Sequence, residues 1–391
     1  CIASRTACDR DSIPSVSRVS AWAYIDLGLS IWLLAAIFSL LSWRSGGGRD
    51  SLLPAGFFAG LVLSAKYTGL IFAGLLLIFL LVEYSRRREI LPKIFRAAGL
   101  GLAVGIPWYL KNLILTGNPF YPFFYRIFGG VDWDPVRAAG YRQILLGYGM
   151  GKDLIGYLLL PWNLSVNAAY TYTGFDGIIG PLFLVFLPLA FFSGKKPAWF
   201  RWLGGYCLIY FIIWSLLSQQ VRMLIPIMAP ASLLAAGLII ALSRKYGVRV
   251  RGILTGALLA GLVFNFSRVY SGFLDLAPLR IISGEETAAD FLSRRVYNYP
   301  AVDFMNRRLP PDSRVIFVYG GNSWYYLRRP VLVDSIFQEY TLAESIKDSR
   351  TLDGLLGEME AEGLTHLLIN TDLARTGIYA GLTPEKKELM E

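Results

Sequence analysis

The chain has 391 residues, of which 54% are hydrophobic and 17% are charged, whereas a soluble domain usually carries about 25% charged residues. Its mean hydropathy is +0.47, and several apolar runs reach or approach the roughly 20 residues that cross a bilayer. These values exclude an ordinary soluble domain and predict an α-helical polytopic membrane protein. The net charge of +10 is then expected from Lys and Arg in cytoplasmic loops and not from nucleic-acid binding.

The histidine and cysteine content excludes two further classes of site. His366 is the only histidine, and Cys1, Cys8 and Cys207 show no CxxC or Cys/His spacing. Zinc centres and histidine-based triads are therefore excluded. Residues 1–20 are polar and patternless, and we assign them no structure. Because the chain starts with Cys instead of Met, we interpret it as a fragment with upstream sequence missing.

The first predicted span, 21–43, has aromatic residues at both ends and one acid, Asp26, near its start. The next apolar stretch, 52–82, is too long for one comfortable crossing and is interrupted around Lys66. Basic residues flank this stretch on both sides, and both flanks favour the cytoplasm. We therefore predict a helical hairpin that crosses outward and returns, with Lys66 at the external membrane face.

Residues 107–125, PWYLKNLILTGNPFYPFFY, form the exit from the following predicted span, 94–115. An Asn-Pro pair and a second proline prevent the helix from simply continuing, and Trp and Tyr favour the membrane interface. An external loop over 116–177 is expected next. Within it, 134–148 and 152–160 predict short amphipathic helices that lie in the interface.

The second half of the chain predicts four further spans and a small domain. The spans are 177–193, 199–217, 222–242 and 250–270, which gives eight in all, with basic first and third connections and an external second one. From about residue 284 the apolar runs shorten and acids appear, so we predict a C-terminal α/β domain over 285–391 on the external side. Its predicted strands are 314–319, 330–333 and 365–370, and its predicted helices are 287–295, 301–309 and 352–362.

Charged residues at the edge of a span are costly in lipid, so each is a functional candidate. The predicted topology brings Asp26, Lys66 and Arg222 to the external face. Such a set suits a phosphate-containing lipid substrate: a carboxylate can accept a proton, and Lys or Arg can bind phosphate. Each residue also has a plainer interpretation, because interfacial acids and snorkelling cations are common. The further candidate binding residues are Tyr67, Lys111, Asn118 and Tyr121.

Two other functions stay open from these residues alone. Intramembrane charges can mark a transport pathway, which would make the chain a lipid-linked-glycan transporter or flippase. A non-catalytic membrane scaffold with an external binding domain is the second alternative, and it predicts that the three charged residues lie far apart. No resident cofactor is predicted, and one acid gives no basis for a metal site, so a requirement for a divalent metal stays open.

Five motifs in order carry a resemblance to a known family. AYID at the start of a span, LVLSAKYTGL, PWYLKNLILTGNPFYPFFY, LPWNL with GIIGPLFL, and QQVRMLIPIMAP resemble a bacterial glycosyltransferase family of the GT-C superfamily. Protein O-mannosyltransferases and the lipid A aminoarabinose transferase are its better-known relatives. The resemblance covers residues 21–271, and the terminal domain resembles the periplasmic domains that such proteins often carry.

The resemblance implies an inverting transfer of a sugar from a polyprenyl-phosphate carrier to a hydroxyl on a lipid, protein or glycan acceptor. It also implies an inner-membrane enzyme of the bacterial cell envelope. Lys66 and Arg222 match positions of contact with the donor phosphate. Asp26 matches a second acidic position at the start of a later span, where as a catalytic residue it would assist the base or orient the acceptor. The family's principal catalytic acid lies in a first external loop that this sequence does not contain. We therefore expect the 391 residues to be inactive alone.

Overall fold

A computed structural model of the chain describes residues 15–20, 24–46, 52–334, 337 and 339–388. These residues fall into two units, one ending at Leu276 and one beginning at Ala277. The glycine-rich segment RSGGGR that follows the first predicted span lies partly outside the described residues, since 47–51 are not among them.

The first unit is helical throughout. Its helices are α1 (Ser15–Ser20), α2 (Asp26–Arg44), α3 (Leu52–Ala65), α4 (Thr68–Arg86), α5 (Leu91–Thr116), α6 (Tyr125–Phe128), α7 (Pro135–Leu146), α8 (Leu154–Trp162), α9 (Leu182–Phe186), α10 (Ala198–Leu216) and α11 (Ile225–Leu276), with tighter or wider turns at Arg88–Ile90, Asn163–Asn167, Leu187–Phe192 and Val221–Leu224. The long α11 is broken at Gly247, whose φ of +83° and ψ of −166° lie outside the helical region and suit glycine.

Five helical segments among the described residues are long and apolar enough to cross a membrane. They are α2, α4, α5 with the short turn before it, α10, and the segment Val221–Leu276 that contains α11. Two shorter apolar segments, α3 and Leu182–Phe192, add to the helical bundle. The predicted class, a helical membrane protein, is therefore confirmed, whereas the count of eight spans stays a prediction.

Two predicted boundaries were wrong. Residues 15–20, to which we assigned no structure, form α1, because the backbone N–H and the hydroxyl of Ser15 pair with the carbonyl and N–H of Ile178. The predicted span 177–193 becomes helical only at Leu182. The residues before it form a loop, in which Gly180 has a φ of +77° and lies against the side chain of Asn265.

The predicted hairpin is present: α3 ends at Ala65, α4 begins at Thr68, and Lys66 and Tyr67 form the turn between them. Small residues let α3 pack tightly against α5. A Cβ atom added to Gly56 would lie 2.1 Å from the carbonyl oxygen of Ala97, and one added to Gly60 would lie 2.5 Å from that of Gly101. Close backbone approach of this kind is typical of helix pairs in membranes.

Ion pairs join α2 and the α4 region at both ends. At the start of α2, Asp26 pairs at 2.6 Å with Lys66, which lies in the turn before α4. At its end, Arg44 lies 3.2 Å from Glu83 and 5.5 Å from the centre of the Trp202 ring on α10. The two helices therefore run parallel, and the pair at each end fixes their relative register.

The second unit contains a parallel sheet. Its described strands are β1 (Val315–Val318), β2 (Val331–Val333) and β3 (His366–Ile369), in the order β2-β1-β3, and its helices are α12 (Leu279–Ile282), α13 (Ala288–Arg295), α14 (Tyr299–Arg308), α15 (Tyr340–Asp348), α16 (Leu352–Ala361), α17 (Thr371–Thr376), α18 (Ile378–Gly381) and α19 (Pro384–Glu388), with a 3-10 turn at Gly321–Tyr326. Every residue of β1 is buried, as expected of the central strand of a sheet covered on both faces.

Candidate functional site

The first part of the candidate site is the ion pair at the turn between α3 and α4. Asp26, in the first turn of α2, has a side chain that is 2% exposed, and its Oδ1 lies 2.6 Å from Lys66 Nζ, whose side chain is 24% exposed. A carboxylate this deeply buried and already paired is placed to hold the ammonium group in position. Lys66 keeps the exposed fraction, so its ammonium is the member of the pair that an anionic ligand can reach.

Tyr67 fixes the hairpin turn to the start of the external loop. Its hydroxyl donates to the backbone carbonyl of Tyr121 at 2.7 Å and accepts from Asn112 Nδ2 at 2.8 Å. Its ring packs edge-on against Phe123, with centroids 5.3 Å apart. The residue next to Lys66 is thus bonded both to α5 and to the loop that leaves it.

Arg222 lies beside the start of α2. Its guanidinium stands 4.9 Å from the centre of the Tyr24 ring, two residues before Asp26. Its Nε donates to Gln220 Oε1 at 3.0 Å, and Gln220 Nε2 donates to Asp176 Oδ2 at 2.7 Å. One buried amide therefore connects a guanidinium to a carboxylate that belongs to a different loop.

Backbone contacts hold these two loops together. Val221 N donates to the carbonyl of Phe175 at 2.8 Å, and Trp214 Nε1 donates to the carbonyl of Gln220 at 2.9 Å. Phe175 and Asp176 both have positive φ angles, +70° and +48°, which non-glycine residues seldom adopt. Each such residue costs on the order of 1–3 kcal/mol and persists only where its surroundings fix it.

Aromatic side chains near Arg222 form two sets of ring contacts. Phe123 packs against Tyr141 at 5.7 Å, Tyr141 against Trp133 at 6.1 Å, and Tyr148 against Tyr172 at 4.5 Å between ring centroids. Burial raises the pKa of Tyr141 and of Tyr148, and the nearby charge of Arg222 opposes this rise in both. Both phenols are therefore protonated at neutral pH and can donate hydrogen bonds.

Capped helices give the external loop a fixed shape. The Asp134 carboxylate accepts from the N–H groups of Val136 and Arg137 at 2.7 and 2.8 Å and so begins α7. The Asp153 carboxylate accepts from Gly156 N at 2.7 Å and begins α8. Both helices were predicted from their amphipathic pattern to within a few residues of their bounds, and the acid at each N-cap is the local interaction that starts them.

Three other candidate binding residues have different surroundings. Asn118 is fully buried, and its amide nitrogen donates to the carbonyls of Phe123 and Gly129 while its oxygen accepts from Phe120 N. It therefore shapes the loop from inside. Lys111 is exposed and stands 3.8 Å from the ring of Trp108 on its own helix. Tyr121 contributes its carbonyl to Tyr67, and its ring packs on Trp133.

An apolar cavity of about 460 Å³ lies between α9, α10 and α11. Its lining includes Leu224 and Ile227, which are close in the chain to Arg222, and Leu234 and Leu238, which lie further along α11. Its volume suits a stretch of hydrocarbon chain, and it extends from the vicinity of the charged cluster into the helical bundle.

Sequence patterns did not identify Asp176, Gln220, Tyr148 or Tyr172 as site residues. Asp176 and Gln220 lie in segments 44 residues apart, so only the folded chain brings them together. The three glycines spaced three residues apart around Asp176, in TGFDGIIG, were a usable signal of an unusual turn. Within the ranges that the structure describes, no group of three or more His, Cys, Asp or Glu residues is arranged to hold a metal ion.

Comparison with known proteins gives one family match. No curated protein and no solved structure matches the chain. A family model described as a domain of unknown function, DUF8201, matches residues 29–229, which is just over half of the chain and includes Lys66, Asp176, Gln220 and Arg222. The chain therefore belongs to the DUF8201 family.

Proposed function

We propose that the chain is the membrane part of a glycosyltransferase that moves a sugar from a polyprenyl-phosphate carrier to an acceptor hydroxyl. The observation that carries the proposal is the proximity of the charged groups: Asp26 touches Lys66, and Arg222 stacks on Tyr24, two residues from Asp26. Two cations, one of which lies two residues before the cavity-lining Leu224, suit a ligand that has a phosphate at one end and a hydrocarbon chain at the other.

In this reaction the acceptor oxygen attacks the anomeric carbon and loses its proton to a base. The bond between the anomeric carbon and the phosphate oxygen breaks, and its electron pair stays on the leaving lipid phosphate. Lys66 and Arg222 stabilise the charge that develops there. Asp26 holds Lys66 in place, and the aromatic side chains near Arg222 exclude water from the reacting atoms.

The proposal includes an orientation in the bacterial inner membrane. The hairpin turn at Lys66, the loop from Asn118 to Gly180 and Arg222 face the periplasm, as does the C-terminal unit. The basic segments at Arg86–Arg88 and Arg244–Arg251 face the cytoplasm, in agreement with the positive-inside rule. The eight predicted spans follow from this orientation, with α3 and Leu182–Phe192 as short crossings and Gly247 in a cytoplasmic turn.

The test uses the purified full chain in detergent and measures its thermal unfolding midpoint with added undecaprenyl phosphate. We expect stabilisation by undecaprenyl phosphate that undecaprenol, which lacks the phosphate, does not give. Lys66→Gln and Arg222→Gln should each remove most of this stabilisation. The matched control is Arg126→Gln, which neutralises an exposed cation of α6 in the external loop and should leave the stabilisation intact.

Equal stabilisation by undecaprenyl phosphate and undecaprenol would contradict the proposal. The scaffold alternative predicts that Asp26, Lys66 and Arg222 lie far apart. Charged groups more than roughly 20 Å apart are largely screened from one another. A flippase would bind the same lipid but would move it across a vesicle bilayer. Accumulation of labelled lipid in the opposite leaflet, with no sugar transferred, would identify that function.

A further inference from the structure

Asp176 is half-buried, and only one of its two carboxylate oxygens accepts a hydrogen bond from the described residues. Its Oδ2 accepts from Gln220 Nε2 at 2.7 Å, whereas its Oδ1 accepts no hydrogen bond from any residue that the structure describes. Nor does a Lys or Arg in the described ranges form an ion pair with it. One oxygen of a fixed carboxylate thus remains as an acceptor beside the cationic part of the site.

Arg222 likewise has some of its polar groups bonded within the protein and others available to a ligand. Its Nε donates to Gln220 Oε1 at 3.0 Å, and its guanidinium face rests on Tyr24. Its terminal Nη1 and Nη2 groups donate to no residue in the described part of the chain. The two terminal groups form the fork that binds two oxygens of one phosphate.

Gln220 fixes the relation between these two groups. Its side chain is almost fully buried, at 3% exposed, and bridges Asp176 and Arg222 with one amide. Its backbone carbonyl is held by Trp214, and the loop of Asp176 is held by Val221. The carboxylate and the guanidinium therefore occupy fixed positions one amide apart and do not neutralise each other in a direct ion pair.

A bare phosphate suits this arrangement less well than a glycosylated one, because the negative carboxylate repels the phosphate that Arg222 attracts. The arrangement suits a ligand whose phosphate is followed by a hydroxyl group, since that hydroxyl donates to Asp176 Oδ1 while the phosphate binds Arg222. The adjoining pair Tyr148 and Tyr172, with ring centroids 4.5 Å apart, adds an aromatic surface against which the C–H groups of a sugar ring can pack.

We infer that Asp176 is the residue that distinguishes the glycosylated lipid phosphate from the bare lipid phosphate, by accepting a hydrogen bond from a sugar hydroxyl. The inference rests on the proposed function and assigns to that site a specificity residue. It also favours release of the product over release of the substrate, because the bare lipid phosphate is the product that must leave. A carboxylate that repels the product and binds the substrate favours exchange of one for the other.

The test compares two lipids on the purified full chain by native mass spectrometry. One is undecaprenyl phosphate, and the other is the tightest-bound member of a panel of undecaprenyl phosphates that carry one hexose or pentose. Wild-type protein should bind the glycosylated lipid more tightly. In Asp176→Asn the preference should fall about tenfold or more, which is the expected loss of one hydrogen bond to a charged acceptor.

The same variant should bind bare undecaprenyl phosphate as tightly as wild type or more tightly, because a repelling charge has been removed. A merely structural role for Asp176 predicts the opposite, a parallel loss of both lipids together with a lower unfolding midpoint without ligand, and this result would overturn the inference. Asp176→Glu keeps the charge and should still disfavour the bare phosphate. The control Asp132→Asn removes an exposed carboxylate of the same loop and should change neither affinity.

The two proposals fail in different ways. If wild-type protein binds neither lipid, the proposed function is overturned. If it binds both, and Asp176→Asn keeps the full preference for the glycosylated lipid, only the role of Asp176 is overturned. Arg222→Gln should weaken both lipids together, since both present a phosphate.

Discussion

At the scale of single residues, the site is built from groups that are fixed by partners far away in the sequence. Lys66 is 40 residues from Asp26, and Tyr67 is 54 residues from Tyr121. Each partnership removes the freedom of a polar side chain and leaves one chemical group available. Lys66 thus keeps an accessible ammonium, and Arg222 keeps a guanidinium fork.

The pair of Asp26 and Lys66 should be strongly coupled. Because Asp26 is buried, removing Lys66 leaves a charge without its partner. A double-mutant cycle with Asp26→Asn and Lys66→Gln, followed by unfolding in detergent, should give a coupling of about 1.5–3 kcal/mol. The exposed pair of Asp303 and Arg307, four residues apart on α14, is the control and should give about 0.5 kcal/mol or less. Equal coupling in the two cycles would contradict the importance that we give to burial.

The pair of Glu286 and Arg294 should make the stability of the second unit depend on pH. Two hydrogen bonds from Arg294, at 3.0 and 2.9 Å, hold the pKa of Glu286 below its usual value. A carboxylate whose pKa is lowered in the folded state stabilises the fold fully at pH values above its pKa in the unfolded state, which is about 4.3. This contribution is lost as the pH falls through the pKa of the folded state.

Hydrogen exchange can measure this dependence. At pH 7, the backbone amides of α13 should exchange hydrogen faster in Glu286→Gln than in the wild-type protein. The difference should shrink as the pH falls below about 4, because wild-type Glu286 is then protonated as well. A difference between the two proteins that is the same at pH 3 and pH 7 would rule out this role of the carboxylate.

At the scale of elements, helix contacts in the first unit depend on small residues at defined positions. Gly56 and Gly60 of α3 lie against the backbone of α5, so no rotamer change can make room for a larger residue there. Gly99 of α5, in contrast, has no atom within 4 Å of an added Cβ. Glycine therefore cannot be replaced by a larger residue at Gly56 and Gly60, whereas it can be replaced at Gly99.

Alanine substitutions should reveal this difference. Gly56→Ala should destabilise the protein by about 1–3 kcal/mol, because the added methyl group overlaps the carbonyl of Ala97. Gly99→Ala should be neutral or slightly stabilising, since alanine favours helix more than glycine does. Thermal unfolding in detergent measures both, and equal midpoints for the two variants would show that α3 and α5 are less closely packed than described.

Elements were predictable wherever a local signal was strong. The hairpin turn at Lys66 followed from basic residues on both flanks, and each of the three described strands lies within one or two residues of its predicted bounds. Helix α15, Tyr340–Asp348, was not predicted, because its apolar residues are few and its packing is tertiary. The link from Asp176 to Gln220 was equally out of reach, because nothing in either segment specifies the other.

At the scale of the whole molecule, charge decides the orientation that we propose. The two ends of the helical bundle differ in composition: one has Asp26, Lys66, Arg222 and the aromatic side chains near Arg222, and the other has Arg44, Glu83 and the basic segments. Positive residues favour the cytoplasmic side, so the second end should face the cytoplasm.

Labelling of single cysteines in intact cells tests this orientation. After replacement of the native cysteines by serine, a cysteine at exposed Arg126 or Tyr325 should react with an impermeant maleimide added from the periplasmic side. A cysteine at Arg87 or at Lys245 should react only after the inner membrane is opened. Labelling of Arg87→Cys in intact spheroplasts would invert the orientation and would remove the periplasmic site from the proposal.

Tyr67 has a thermodynamic consequence that follows from its two hydrogen bonds. Because it joins the residue after Lys66 to both α5 and the external loop, a change in the loop changes the position of the Lys66 ammonium, and the reverse also holds. Such linkage is reciprocal: any ligand that binds better to one arrangement of the loop must stabilise that arrangement by the same free energy. Ligand binding at Lys66 and the conformation of the external loop are therefore thermodynamically coupled, and the hydroxyl group of Tyr67 supplies the coupling.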